Sequence, residues 1–331
     1  MNLLNNFPVL WKAQRFSKRQ RVSVRVETAS RRFKFTRQER EKLPPREETL
    51  VFSFPLPPDL FPMLSALLFG ILGQLPLTPP SVIVTGATGG TGSLLYKQLK
   101  ADPRVGMVRA FIYNTSTARA DAQKILNCTI CDASEGIYYG DVTVPATLTP
   151  AFAGVDTVAI AVGAPGGSDE DEQKAIEFIG VENQVKALVA SGFSPRSEIR
   201  VVLCSSMGTT DPNPKPFMGG PILFWKLNAE AFLMSSGIGN VIVKPCGIEG
   251  KYGPGEKELI VGHDDTLPHY GAISRLDVAR VMAEAVAERA SGLRFDICIG
   301  EGEPTTDLSA LLVAARWPWQ SLGTGHGDHI M

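Results

Sequence analysis

The sequence predicts an α/β fold: a doubly wound parallel sheet in a single domain, carried behind an N-terminal extension. Three observations point there. Short apolar runs alternate with longer helical stretches from residue 81 onward, a glycine-rich turn follows the first run, and the charge changes sign near residue 80. Strands separated by helices of that length must cross over to stay parallel. Such crossovers are right-handed almost without exception, so helices cover both faces of the sheet.

Taken in order, residues 82–84 (Val-Ile-Val) form the first strand and 92–100 the first helix. The second strand is 108–113, followed by a polar helix over 118–126. Further strands are expected at 137–139 and 157–162, with a helix near 146–152 between them. A long helix, 170–191, leads to the strand 200–204, and another, 222–236, leads to the strand 241–244. Ser274 with Asp277 three residues later reads as a helix cap with a first-turn acid. The domain is read as 81–315, with 316–331 a polar tail containing glycine and histidine.

The 331-residue chain has a formal net charge of -1. That figure averages two unlike parts. Residues 1–80 hold 13 basic and 6 acidic residues, net +7, and the remainder holds 20 and 28, net −8. The acidic body argues against nucleic acid as a main partner, because neutralising phosphates needs a basic face. Residues 1–38 carry ten basic side chains and one acid, Glu27, with Ser and Thr among them. That is the composition of an organelle transit peptide, placing the protein in a plastid or another organelle; as a mere basic tail it would leave the protein cytoplasmic. The uncharged run 63–75 (MLSALLFGILGQL) is shorter than the ~20 residues a spanning helix needs. No integral membrane span is expected in the body.

Five scattered cysteines fit a reducing compartment. Cys128 and Cys131 form a C-x-x-C, which could bind metal or do thiol exchange; without a second pair it reads as two free thiols in a loop rather than a zinc site. The acids of 168–172 open a helix, where the dipole stabilises them without a metal. No metal ligand set is assigned.

The turn Thr85-Gly86-Ala87-Thr88-Gly89-Gly90-Thr91-Gly92 spaces three glycines as G-x-x-G-x-x-G. Gly86 permits a tight exit from the strand. Gly89 lets backbone approach a pyrophosphate, and Gly92 lets the helix pack against the sheet. The helix N-terminus then presents free N–H groups to an anion. Strand, turn and helix together predict a dinucleotide site, in the manner of a Rossmann-like domain.

The ordered set TGATGGTG, Gly140-Asp141, GVDTVAIAVGA, VVLCSSMG, FWKLNAEAFLMSSG, VKPCGI and ISRLDVA resembles the atypical short-chain dehydrogenase/reductases, specifically the NmrA-like NAD(P)-binding group of plants and algae. The resemblance covers residues 81–315 and implies local roles. Thr85 to Gly92 would hold the pyrophosphate, and Asp141 and Val142 would contact the adenine. Val162, Gly163 and Ala164 would lie along the nicotinamide ribose, and Pro245 to Ile248 would flank the nicotinamide. Arg275 and Asp277 match the group's Arg-x-Asp-Val-Ala segment.

The cofactor is read as NADP, with NAD the alternative. The second strand ends at Asn114 without the acid that binds a ribose 2′-OH, and Thr115, Ser116 and Arg119 could receive a 2′-phosphate. The group often has Arg where Asn114 stands. Typical members of the superfamily use Ser, Tyr and Lys, with Tyr one helical turn before Lys. Here Ser206 and Lys226 are candidate catalytic residues, but Ile222 stands four residues before Lys226 and has no proton to give. Two readings stay open. One is an NAD(P)H-dependent oxidoreductase acting on an unknown small molecule, its proton supplied by Ser206, a water, Tyr252, His263, His269 or Tyr270. The other is a non-catalytic NAD(P)(H)-binding sensor or scaffold with a protein partner. For His263 and His269 the preferred reading is a solvated loop.

Overall fold

The computed structural model describes residues 78–192, 198–210, 221–249, 253–268 and 271–320. The chain divides into two units, Met1–Leu77 and Thr78–Met331. The basic leader and the apolar run 63–75 lie outside the described residues, as do Tyr252, His269 and Tyr270.

The first strand is β1 (Val82–Thr85), followed by α1 (Gly90–Ala101), β2 (Val108–Tyr113), α2 (Ser116–Leu126), β3 (Ile137–Gly140), α3 (Pro145–Phe152) and β4 (Thr157–Ile160). The expected long helix is α4 (Glu170–Lys174) and α5 (Gly180–Ala190), joined by a π-helical segment, Ala175–Ile179. Then come β5 (Arg200–Cys204), α6 (Ile222–Ser235), β6 (Gly239–Pro245), β7 (Ile248–Glu249), β8 (Leu259–Gly262), β9 (Ile273–Ser274), α7 (Arg275–Ala287), β10 (Leu293–Ile299) and α8 (Leu308–Ala314). Helix α1 starts two residues earlier than its periodicity indicates, because its first turn is made of glycines that carry no apolar signal.

Eight strands form one sheet in the order β3-β2-β1-β4-β5-β6-β10-β8. Every pairing is parallel except β10 with β8, which is antiparallel. The order reverses beside β1, so the crevice for a ligand opens there, at the carboxyl ends of β1 and β4. Strands β8 and β10 escape the sequence reading because no glycine turn or repeated helix length marks them.

Both sheet faces are buried, which is why the strands read as continuous apolar runs. Val82 and Val84 pack on one side with Leu95, Leu99, Val281 and Met282 of α1 and α7. Ile83 points the other way, with Leu148, Leu188 and Leu233 of α3, α5 and α6. Helices α1 and α7 lie against each other, and Arg104 clamps their ends by pairing with Asp102 and Glu284, each at 2.7 Å.

The cysteines correct the reading of free thiols. Cys128 is bonded to Cys131, and Cys246 to Cys298; Cys204 is free. The second pair is 52 residues apart in sequence. It meets because Pro245 and Ile297 are register partners on neighbouring strands, which puts the next residue of each side by side. Among the described residues no helix is long and apolar enough to cross a membrane.

Candidate active site

The glycine turn is built by backbone crowding. Gly86 has φ +72°, and a Cβ there would lie 2.5 Å from the Ala161 carbonyl oxygen. A Cβ on Gly92 would lie 2.1 Å from the Gly86 carbonyl oxygen. Gly89 is less constrained, with φ -73° as the N-cap of α1 and 3.1 Å between an added Cβ and the Gly86 oxygen. The first turn of α1 has neither a side-chain cap nor an acid, so its N–H groups face outward with the helix dipole behind them. Thr85 is fully buried, and its hydroxyl has no partner among the described residues.

A dinucleotide fits these residues. The turn leaves room where side chains would stand, and its uncapped N–H groups suit a pyrophosphate. A cation stands beside them. An added Cβ on Gly90 would lie 2.9 Å from Cδ and Nε of Arg275, the exposed first residue of α7. The sequence shows Arg275 at a helix start and in the group's Arg-x-Asp-Val-Ala segment, without its closeness to Gly90. Ser274 does cap α7, accepting from the Leu276 N–H at 3.1 Å. Asp277 is buried, where it accepts from the Gly255 N–H at 2.9 Å and from Arg280 at 2.7 Å.

At the other end of the crevice, the side-chain oxygen of Asn114 accepts from Arg119 Nε at 2.8 Å. The Arg119 guanidinium lies 4.0 Å over the Tyr139 ring. Thr115 is occupied as the N-cap of α2. Asp141 is turned into its own loop, accepting from the Thr143 N–H at 2.8 Å and its hydroxyl at 2.7 Å. Val142 is buried, and its carbonyl accepts from Asn183 at 3.0 Å.

Beyond β4, the N–H of Ala164 donates to Glu177 Oε1 at 2.8 Å. Glu177 is 4 % exposed. Its other oxygen pairs with Lys226 Nζ at 2.7 Å. One carboxylate thus ties the 162–164 loop to α6. Glu177 sits in the π-helical segment, a local geometry common at functional sites, and sequence reasoning passed over it. Burial alone would lower the pKa of Lys226, but the Glu177 carboxylate outweighs it and holds that pKa above the ordinary lysine value. Lys226 is therefore a fixed cation. Burial pushes the nearby Cys204 thiol up to about 11, so it stays protonated.

Ser205 and Ser206 part ways after β5. Ser205 is buried and donates to Glu230, which also accepts from Thr209 at 2.9 Å and Arg294 at 2.8 Å. Ser206 is half-buried and donates to the Met207 carbonyl at 2.9 Å. The Met207 N–H reaches the Pro245 carbonyl at 2.9 Å, which joins the β5 exit to the 245–248 segment. Ile222 is the first residue of α6, one turn before Lys226. His263 lies in the bend just after β8 but is half-buried and packed rather than free in solvent. Its ring stacks on Trp317 at 3.7 Å, and Nδ1 lies 3.1 Å from the Arg294 carbonyl.

Comparison with known proteins gives a consistent picture. The profile of a family described as NAD(P)H-binding matches residues 86–289. An uncharacterized chloroplastic protein of Arabidopsis thaliana is 33% identical over 258 residues, covering 70% of this chain and 74% of that protein. Sanguinarine reductase of Eschscholzia californica is 31% identical over 281 residues, covering 72% of this chain and 97% of that one. A solved structure from Bacillus halodurans, described as an NAD-dependent epimerase/dehydratase, superposes with a TM-score of 0.57 at 22% identity. It covers 71% of this chain and 99% of its own, and it speaks to the fold alone.

Proposed function

The chain belongs to the NAD(P)H-binding family, and from that premise we propose that it is an NADPH-dependent reductase of a small electrophilic molecule. The observation that carries the reading is the Glu177–Lys226 pair. Burying two charges costs several kcal/mol that well-packed apolar side chains would not. A pair kept at that cost, and bonded to the Gly163-Ala164 loop, points to work other than folding. The relative named as a reductase is similar over nearly its whole length.

When bound, the reduced nicotinamide supplies a hydride. The protein's own residues do the rest. Ala164 and Gly163 position the ribose, and Lys226 donates a hydrogen bond to it from a cation that does not lose its charge at neutral pH. The half-exposed Ser206 hydroxyl hydrogen-bonds the substrate's acceptor atom and orients it. A water relayed through Ser206 delivers the proton that Ile222 cannot. The missing acid after β2, with Arg119 exposed there, favours NADP over NAD.

A second reading, a dinucleotide-binding sensor or scaffold, is favoured by Ile222 alone. Titration of the full chain with NADPH and NADH separates the outcomes when followed by loss of nicotinamide absorbance with a panel of quinones, aldehydes and iminium compounds. Micromolar NADPH binding with turnover of at least one class is expected. Tight binding without turnover over the whole panel favours the sensor, and no binding of either nucleotide removes both readings.

We place the protein in the plastid. The support is the basic, acid-poor leader together with relatives named as chloroplastic. Residues 1–80 fused to a fluorescent protein should direct it into plastids; a diffuse cytosolic signal would refute the placement.

A further inference from the structure

The reading above leaves the C-x-x-C unused. Cys128 and Cys131 are bonded across the loop that follows α2. Cys131 is buried and Cys128 half-buried, while Thr129 and Ile130 between them are exposed. Asn127, at φ 55°, is the left-handed C-cap of α2, and Cys131 has φ 58°, a conformation uncommon for a residue with a Cβ. The loop wraps the Glu135 carboxylate, which accepts N–H bonds from Thr129, Ile130 and Cys131 at 3.0, 3.0 and 2.8 Å.

This loop reaches the adenosine end of the crevice in two contacts. The Tyr139 hydroxyl donates to the Cys131 carbonyl at 2.9 Å, and the Tyr139 ring carries the Arg119 guanidinium at 4.0 Å. A cleft of about 550 Å³ opens between them, lined by Arg119, Gln123, Ile130, Cys131, Tyr138 and Tyr139 among others. Among the described residues no carboxylate pairs with Arg119, whose Nε is held by Asn114.

We propose that the Cys128–Cys131 disulfide is a reversible redox site that sets the protein's affinity for the 2′-phosphate of NADPH. Closed, it holds Cys131 in its left-handed conformation, and the Cys131 carbonyl fixes Tyr139 and so the Arg119 guanidinium. Opened, the loop relaxes, Tyr139 loses its acceptor, and Arg119 loses its platform. The inference rests on the proposed preference for NADP through Arg119.

The reductant is a protein dithiol. One of its thiolates attacks Cys128 Sγ, the more accessible sulfur; the S–S bond breaks and Cys131 leaves as a thiolate. The second thiolate of the reductant resolves the mixed disulfide and releases Cys128. The reductant ends as a disulfide, having given two electrons, and its two thiol protons end on Cys128 and Cys131. The Cys246–Cys298 pair is buried at 5% and 0%, which shields it from the same attack.

The test uses the full chain and needs no variant for its first readout. NADPH and NADH are titrated against air-oxidised protein and against protein treated with dithiothreitol, with alkylation and mass analysis reporting which cysteines are free. On reduction the NADPH dissociation constant should rise about fivefold to tenfold, the size of one charge-assisted contact, while that for NADH changes less than about twofold. C128S/C131S should bind like the reduced form and ignore dithiol. R119A should bind NADPH weakly in both states.

Reduction that leaves NADPH affinity unchanged, with R119A still weakening it, overturns the switch and leaves the NADP reading intact. R119A without effect, and equal affinity for both nucleotides, overturns the NADP reading and the switch with it. Free Cys128 and Cys131 in air-oxidised protein, or one zinc bound per reduced chain at these thiols and Glu135, also overturns the proposal.

Discussion

Gly92→Ala should abolish measurable dinucleotide binding and cost about 3 kcal/mol of stability, the upper range for forcing a carbon into packed structure. The new methyl would stand 2.1 Å from the Gly86 oxygen and 2.8 Å from its carbonyl carbon. Both atoms are backbone, so no side chain can swing aside. Relief requires α1 to move off the turn, which would drag Leu95 and Leu99 out of the core. It would also turn the helix's first N–H groups away from any phosphate. Gly89→Ala is the internal control, because its methyl would meet the same oxygen at 3.1 Å and needs only a small adjustment. Urea unfolding gives the stability and NADPH titration the binding. Near-native affinity in Gly92→Ala would show that the pyrophosphate does not sit on this turn.

Lys226→Met should be the most damaging single change at the reactive end. It leaves the Glu177 carboxylate buried without a cation, which costs about 3–5 kcal/mol. Catalysis by any substrate class that turns over should fall by at least about 100-fold. Adding Glu177→Gln removes the stranded charge and should recover most of the stability but none of the turnover. Full recovery of turnover in the double variant would mean that Lys226 only balances Glu177.

The pH dependence has a definite sign. Lys226 has a folded-state pKa above the unfolded value. The stability it contributes is therefore complete below the unfolded lysine pKa of about 10.4 and is lost as pH rises through the higher folded value. Wild-type minus Lys226→Met stability should not shrink as pH rises through neutrality, where the variant also carries the stranded Glu177, and should shrink only in strong alkali. A difference that shrinks between pH 6 and 9 would contradict the raised pKa.

The features that depend on neighbours in sequence were legible in the sequence. The Val-Ile-Val strand and the glycines that leave it name the crevice, and Ser274 names its helix through a cap that reaches only two residues. Features made by contact across the sheet were not. Glu177 looks like one more acid on a solvated helix until the π turn adds a residue to the local period and faces it inward. Arg275 meets Gly90 only because α7 lies along α1, 185 positions later in the chain. Cys246 and Cys298 meet through strand register. Spacing within C-x-x-C does permit a bond between its two thiols, but composition alone argued for a reducing compartment and pointed the other way.

The Cys246–Cys298 bond also separates what can vary from what cannot. The chain that leaves β6 at Cys246 runs through β8, a strand of the same sheet, before Gly271, whose carbonyl oxygen lies 3.5 and 3.4 Å from the two bonded sulfurs. The bond itself ties Cys246, directly after Pro245, to Cys298 of β10. Doubling the length of a loop closed in this way costs only about 0.6 kcal/mol in chain entropy. Changes of length in the loops flanking β8 need not disturb Pro245, whereas changes within β8 or at Asp265 would, because β8 pairs with β10 and Asp265 pairs with the buried Lys244. Those loops can therefore vary in length while the end of β6 stays fixed to β10.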